Sequence, residues 1–310
     1  MLRTGLAVAC SFLAVTGCGN GVQESARTDA STTGTAQLQV ATAFYPLEFL
    51  AQRVGGGAAS VENLTEPGAE PHDLELTPRQ LARLAEDDLV VYLAGFQPAV
   101  DEAVQQQAKD AALDVGAVTP LQSGYVPIEE GVAEPDEVGP DPHVWLAPLR
   151  YAEIADAVAA RMGRLAPDQA QSFTTRAKEL RTELQALDAE LKAGLTGCAR
   201  TQIVTSHNAF GYLASAYGLE QVSITGLTAG AEPSPGRLAE VATYAKANGV
   251  TTIFFEELVS PSVAQSLAAE VGAKAVELSP LEGAPESGDY FSQMRQNLAT
   301  LRTALGCPGA

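Results

Sequence analysis

The chain has 310 residues, 46% of them hydrophobic and 18% charged, which is enough apolar material for one large or two medium cores. Its 38 acidic residues outnumber 19 basic ones, giving a formal net charge of −19. That balance excludes nucleic acid and anionic membrane surfaces as electrostatic partners and favours cations. Beyond the N-terminus no apolar run reaches the roughly 18 to 20 residues that a spanning helix needs.

At the N-terminus, Arg3 precedes an apolar stretch, Leu6 to Val15, that is too short to span a bilayer and suits a secretory signal. The stretch ends in Val15-Thr16-Gly17-Cys18, which resembles the bacterial lipobox, where cleavage before the cysteine leaves a thiol that carries a diacylglycerol. Residues 1–17 are expected to be a lipoprotein signal peptide and Cys18 the lipidated residue; an ordinary signal peptide that contains Cys18 is the alternative. Residues 18–37, rich in Ser, Thr, Gly and Ala without periodicity, read as a flexible tether between membrane and domain.

From Leu38 onward, short β-rich runs alternate with helical patterns, the signature of parallel sheets with crossover helices. The patterns predict strands at 38–44, 60–64 and 89–93 and helices at 47–54, 78–85 and 99–109, within an N-terminal α/β lobe over 38–166. Its loop at 128–141 holds Glu129, Glu130, Glu134, Asp136, Glu137 and Asp141 and no basic residue. This reads as a solvated loop, with cation collection as the alternative. A helical pattern over 167–194 opens at Pro167-Asp168 and stops at Gly194. Leu180, Leu184, Leu187 and Leu191 line one face of this helix, about 39 Å long at about 1.5 Å per residue, enough to connect two lobes and restrict hinge bending. Strands at 202–205, 221–224, 252–255 and 274–276, with helices at 209–217, 236–247, 262–271 and 290–305, make a C-terminal α/β lobe over 195–310. The expected fold class is α/β, with two parallel-sheet lobes joined by a long backbone helix.

Cys10 leaves with the signal and Cys18 takes the lipid, so Cys198 and Cys307 remain. An even pair in an exported chain predicts a disulfide between them. Free thiols or a thiolate metal site are the alternatives, without CxxC spacing to support the latter.

Only three histidines occur. His72 lies in Glu70-Pro71-His72-Asp73, His143 in Asp141-Pro142-His143-Val144-Trp145, and His207 in Thr205-Ser206-His207-Asn208 just past a predicted strand. None sits inside an apolar helix or strand pattern, and ligands of open parallel sheets bind beyond the carboxyl ends of strands. Neutral imidazole suits Zn²⁺ and accepts Mn²⁺, and a carboxylate completes such a shell.

These segments carry a resemblance. Together with Ala43-Phe44-Tyr45-Pro46, Asp87-Asp88-Leu89-Val90-Val91-Tyr92, Ile253-Phe254-Phe255-Glu256 and Gly288-Asp289-Tyr290, they make the chain similar to the zinc and manganese lipoproteins of the cluster A-I metal receptors, which are ABC-transporter solute-binding proteins. The likeness covers nearly all of the mature sequence. It implies a metal site in the interlobe cleft, with His72 and His143 from the first lobe and His207 and Asp289 from the second. Glu256 is expected to orient a ligand imidazole from behind, or to replace Asp289 as the fourth ligand. Asp289 also has the place of a helix N-cap before Tyr290. Since manganese-selective relatives often carry glutamate at the third position, His207 favours Zn(II), with Mn(II) second.

The implied function is an extracytoplasmic receptor, lipid-anchored to the bacterial plasma membrane, that captures Zn(II) and delivers it to an ABC-transporter permease and its ATPase. It would act as a monomer and catalyse nothing. Because ligand imidazoles must be neutral, affinity is expected to decline as pH falls through about 6 to 6.5. The rival readings are a zinc-dependent hydrolase or hydratase with three histidines and a water, and a surface adhesin.

Overall fold

The computed structural model describes residues 37–122 and 139–309. The signal peptide, Cys18 and all of the tether except Gln37 lie outside the described residues, as does the loop at 128–141 up to residue 138.

The first sheet is built from β1 (Leu38–Thr42), β2 (Ala59–Asn63), β3 (Leu89–Tyr92) and β4 (Ala112–Asp114), all parallel and ordered β2-β1-β3-β4. Its crossovers carry α1 (Tyr45–Gly55), α2 (Pro78–Leu84) and α3 (Pro98–Ala103), which continues into a π-helical turn over Val104–Ala108. A proline in the first turn of each of these helices fixes φ where no backbone donor is needed. At α2, Thr77 and Gln80 also form a reciprocal capping box.

A helical hairpin follows, α4 (Pro148–Leu165) and α5 (Ala170–Gly194), joined by a short 3₁₀ turn at Pro167–Gln169. The long helix is thus present, with its first turn tightened, and its leucines 180, 184, 187 and 191 are fully buried. Arg176 on α5 donates from Nε to the Val54 carbonyl and from Nη2 to the Gly55 carbonyl, closing the end of α1 where Gly56 turns the chain at φ 53°.

The second sheet repeats the first. Strands β5 (Gln202–Thr205), β6 (Glu220–Ser223), β7 (Thr252–Phe255) and β8 (Lys274–Glu277) are parallel in the order β6-β5-β7-β8. The accompanying helices are α6 (Gly211–Tyr217), α7 (Pro235–Ala247), α8 (Ser262–Val271) and α9 (Tyr290–Leu305). In each sheet the strand order reverses between the first and third strands, the crevice where open α/β sheets place ligands.

Two elements depart from the sequence reading. Strand β4 spans three half-buried residues, too few for alternation to register. Helix α4, which the sequence reading does not list, buries Tyr151, Ile154, Val158 and Met162 at helical spacing, with Ala152, Ala155 and Ala159 on the same face.

One continuous apolar core runs from Val40, Leu50 and Val90 of the first half through Leu180 and Leu187 of α5 to Phe210, Leu213, Phe254 and Tyr290 of the second. Ring contacts of Tyr290 with Phe49 at 5.8 Å and with Tyr151 at 4.7 Å join α9 to α1 and α4. Among the described residues no helix is long and apolar enough to cross a membrane.

Cys198 and Cys307 form a disulfide across 109 positions of sequence. It closes the same seam as the backbone bonds from Ala199 N–H to the Gly306 carbonyl and from Arg200 N–H to the Leu305 carbonyl. Replacing both cysteines by serine is expected to lower unfolding free energy by about 2–5 kcal/mol, measured by urea titration in non-reducing buffer. An unchanged midpoint would show that the backbone seam suffices.

Candidate metal centre

Four side chains from four separate loops converge. His72 lies between β2 and α2, its ring edge-on to Phe96 at 4.5 Å. His143 follows Asp141-Pro142 and opens the 3₁₀ turn Val144–Leu146. His207 stands two residues beyond β5 and Glu282 five beyond β8. One potential donor atom from each lies within 4.8 Å of all the others. Glu282 Oε1 is 3.3 Å from His72 Nε2, 3.0 Å from His143 Nε2 and 3.3 Å from His207 Nε2. The Nε2 atoms of His143 and His207 are 3.2 Å apart. His143, His207 and Glu282 are buried, while His72 is partly exposed.

Two further carboxylates fix the rings from behind. Asp141 Oδ1 accepts from His143 Nδ1 at 2.8 Å and from the His143 backbone N–H at 2.9 Å. Glu256, the first residue after β7, accepts from His207 Nδ1 at 2.6 Å and, through its other oxygen, from the His207 backbone N–H at 3.2 Å. A carboxylate can only accept, so each Nδ1 carries its proton and each Nε2 faces the centre.

The Glu282 loop is held with equal care. The Asn297 side chain accepts from Ser279 N–H and donates to the Ser279 carbonyl, at 3.2 and 2.7 Å. Leu281 N–H donates to Ser279 Oγ, and Trp145 Nε1–H donates to the Pro280 carbonyl at 2.7 Å. Between these anchors Leu281 takes a left-handed φ of 58°. For a branched side chain that costs about 1–3 kcal/mol, strain of the kind that clusters at ligand sites.

Electrostatics follow from the packing. Burial opposes charge on His207, but Glu256 and Glu282 outweigh it and raise its pKa well above 6.5. At His143 burial again opposes charge, and hydrogen bonds from its ring to Asp141 and Glu282 more than offset it, so its pKa is raised too. Burial likewise disfavours the Glu282 carboxylate, yet the charge of His207 and bonds from all three histidines hold it well below the ordinary range.

The structure brings the three histidines together. Asp289 does not join them. Its Oδ1 accepts from Ser292 N–H at 2.9 Å while its own N–H donates to Ser292 Oγ, so it is the N-cap of α9. The carboxylate in the cluster is Glu282, seven residues earlier. The signal for it was the same that singled out the histidines, a position just past a strand's carboxyl end, here β8. Glu256 stands behind His207, on the ring nitrogen turned away from the centre. Within Ser279-Pro280-Leu281-Glu282-Gly283, nothing in residue type alone distinguishes Glu282 from nearby Glu277 and Glu286.

Three imidazole nitrogens and one carboxylate oxygen, directed at one point, form a donor set for a divalent transition metal. A family described as zinc-uptake complex component A, periplasmic, matches residues 40–304. The high-affinity zinc uptake system protein ZnuA of Bacillus subtilis (strain 168) is 34% identical over 314 residues, covering 96% of each chain. The Zn(II)-bound ZnuA-like domain of Streptococcus pneumoniae AdcA aligns with a TM-score of 0.72 at 33% identity, over 87% of this chain and 99% of that one. The laminin-binding protein Lmb of Streptococcus agalactiae, described as bifunctional with adhesin and metal-transporting activity, aligns with a TM-score of 0.76 at 30% identity, over 86% and 99%. With its two matching parallel sheets and its His/Glu cluster, the chain belongs to the zinc-uptake complex component A family.

Proposed function

We propose that the protein is an extracytoplasmic receptor that captures one Zn(II) through His72 Nε2, His143 Nε2, His207 Nε2 and a Glu282 carboxylate oxygen. It passes the ion to an ABC-transporter permease driven by its ATPase. The carrying observation is the spacing of the donors. Separations of 3.0 to 3.3 Å between Glu282 Oε1 and the three nitrogens approximate the edge of a tetrahedron with bonds of about 2.0 Å, which is about 3.3 Å. The names of the zinc-uptake relatives support the choice of cargo.

The donor set also bears on catalysis. A protein carboxylate in the fourth position leaves no place for an activated water in a four-coordinate shell, so the site suits holding rather than hydrolysis. Asp141 and Glu256 make their imidazoles better donors and spare the site reorganisation when the ion arrives. The core shared by both halves opposes wide hinge bending, so handover to the permease proceeds by parting ligand loops. Membrane attachment through Cys18 rests on the Val15-Thr16-Gly17-Cys18 pattern, and the receptor is taken to act as a monomer.

Elemental analysis of protein purified without added metal, followed by zinc–manganese competition, tests this reading. The expected result is about one zinc per chain and displacement of bound manganese by equimolar zinc, as the divalent affinity order requires. Protein that retains no zinc after dialysis refutes it.

A further inference from the structure

The proposed ligand His143 lies on the segment that follows β4, whereas the residues that brace its supporting carboxylate belong to α6 in the second half of the chain. The Tyr212 hydroxyl donates to the Asp141 carbonyl at 2.9 Å and accepts from Gln122 N–H at 2.8 Å. Asp141 N–H in turn donates to the Gln122 carbonyl at 2.9 Å. One phenol therefore clips together two strands of chain and fixes the backbone of Asp141. Next to it, Gly211 sits so close that a β-carbon there would lie 2.6 Å from Asp141 Oδ2. Gly211 does not have a positive φ, so the backbone alone would accept alanine. Asp141 is 2% exposed, and its other oxygen holds both the ring and the backbone N–H of His143. A β-carbon at Gly211 would therefore have to displace a buried carboxylate whose other oxygen makes these two bonds.

From this we infer that Gly211 and Tyr212 are positioning residues for metal binding. They set Asp141, Asp141 sets the His143 ring, and α6 thereby couples the aim of His143 to the strand and loop that present His207. The inference rests on the proposed zinc site. It adds that two residues with no donor atom in the cluster control affinity through one carboxylate.

Zinc affinity is measured for the parent protein, Tyr212→Phe, Gly211→Ala, Asp141→Asn and the Tyr212→Phe/Asp141→Asn double variant by competition with a chromophoric chelator. Visible spectra of the Co(II) forms are recorded alongside. Tyr212→Phe removes only a hydroxyl and is expected to weaken zinc about tenfold. Gly211→Ala and Asp141→Asn are expected to weaken it about 10- to 100-fold, as loss of outer support for a ligand histidine does. The double variant should lose much less than the product of its single effects, because both act through the same carboxylate. Each variant should also shift the Co(II) bands, which a purely structural defect would not move. Affinities within twofold of parent with unchanged Co(II) spectra, even with a lowered melting temperature, overturn the inference. A parent that binds no zinc overturns the site itself and this inference with it.

Discussion

Glu282→Ala is expected to lose zinc while Asp289→Ala keeps it. Glu282 is 2% exposed and its Oε1 lies within 3.3 Å of all three imidazoles, so its removal strips the only carboxylate from the donor cluster. Deleting one partner of a buried charged set costs about 3–5 kcal/mol, an affinity loss on the order of 10²- to 10⁴-fold. Asp289 makes its contacts to Ser292 at the start of α9. Its replacement should leave zinc affinity within about twofold and lower stability by about 1 kcal/mol through the lost cap. Chelator competition and thermal melts separate the two effects. The reverse pattern, with Asp289→Ala losing the metal, would return the fourth ligand to the position expected from the family resemblance.

The second large effect is on pH. Zinc needs neutral Nε2 atoms, yet the pKa values of His143 and His207 in the metal-free site are raised above 6.5. Protons therefore compete with zinc at higher pH than for an unperturbed histidine, so affinity begins to fall above pH 6.5 rather than through 6 to 6.5. Where both rings are charged, the loss approaches about two decades per pH unit, and calorimetry in buffers of different ionisation enthalpy should register proton release on binding.

Stability of the metal-free protein follows the same linkage. The histidine contribution is fully present below their unfolded value near 6.5 and fades as pH rises through the raised folded values. The Glu282 contribution is present above its unfolded value near 4.5 and is lost as pH falls through its lowered folded value. The zinc-induced rise in melting temperature should consequently grow between pH 6.5 and 8. A rise that is flat or shrinks over that interval would contradict the assignment of these groups.

Much of this was legible before folding. The leucine stripe of α5, the cysteine pair and the three histidines each rest on a local pattern, of period, parity or place after a strand. The rest depended on tertiary contacts. Helix α4 carries a clear helical period through Tyr151, Ile154, Val158 and Met162 that the sequence reading passes over, whereas β4 is too short to alternate. Asp289 precedes an aromatic residue that begins a helix, a setting that serves a cap as well as a ligand. Glu282 is placed by the left-handed turn at its neighbour Leu281 and by Asn297 and Trp145, which are distant from it in sequence. Gly211 looks like an ordinary helix-start glycine until Asp141 is seen packed against it.

The central claim is that residues up to 210 positions apart surround one ion. Anomalous diffraction at the zinc edge, from crystals grown with equimolar zinc, tests it directly. The predicted result is a single strong peak about 2.0–2.2 Å from His72 Nε2, His143 Nε2, His207 Nε2 and a Glu282 oxygen, with Asp289 still capping α9. A peak elsewhere, or one bound by the three histidines and a water with Glu282 turned away, would contradict it.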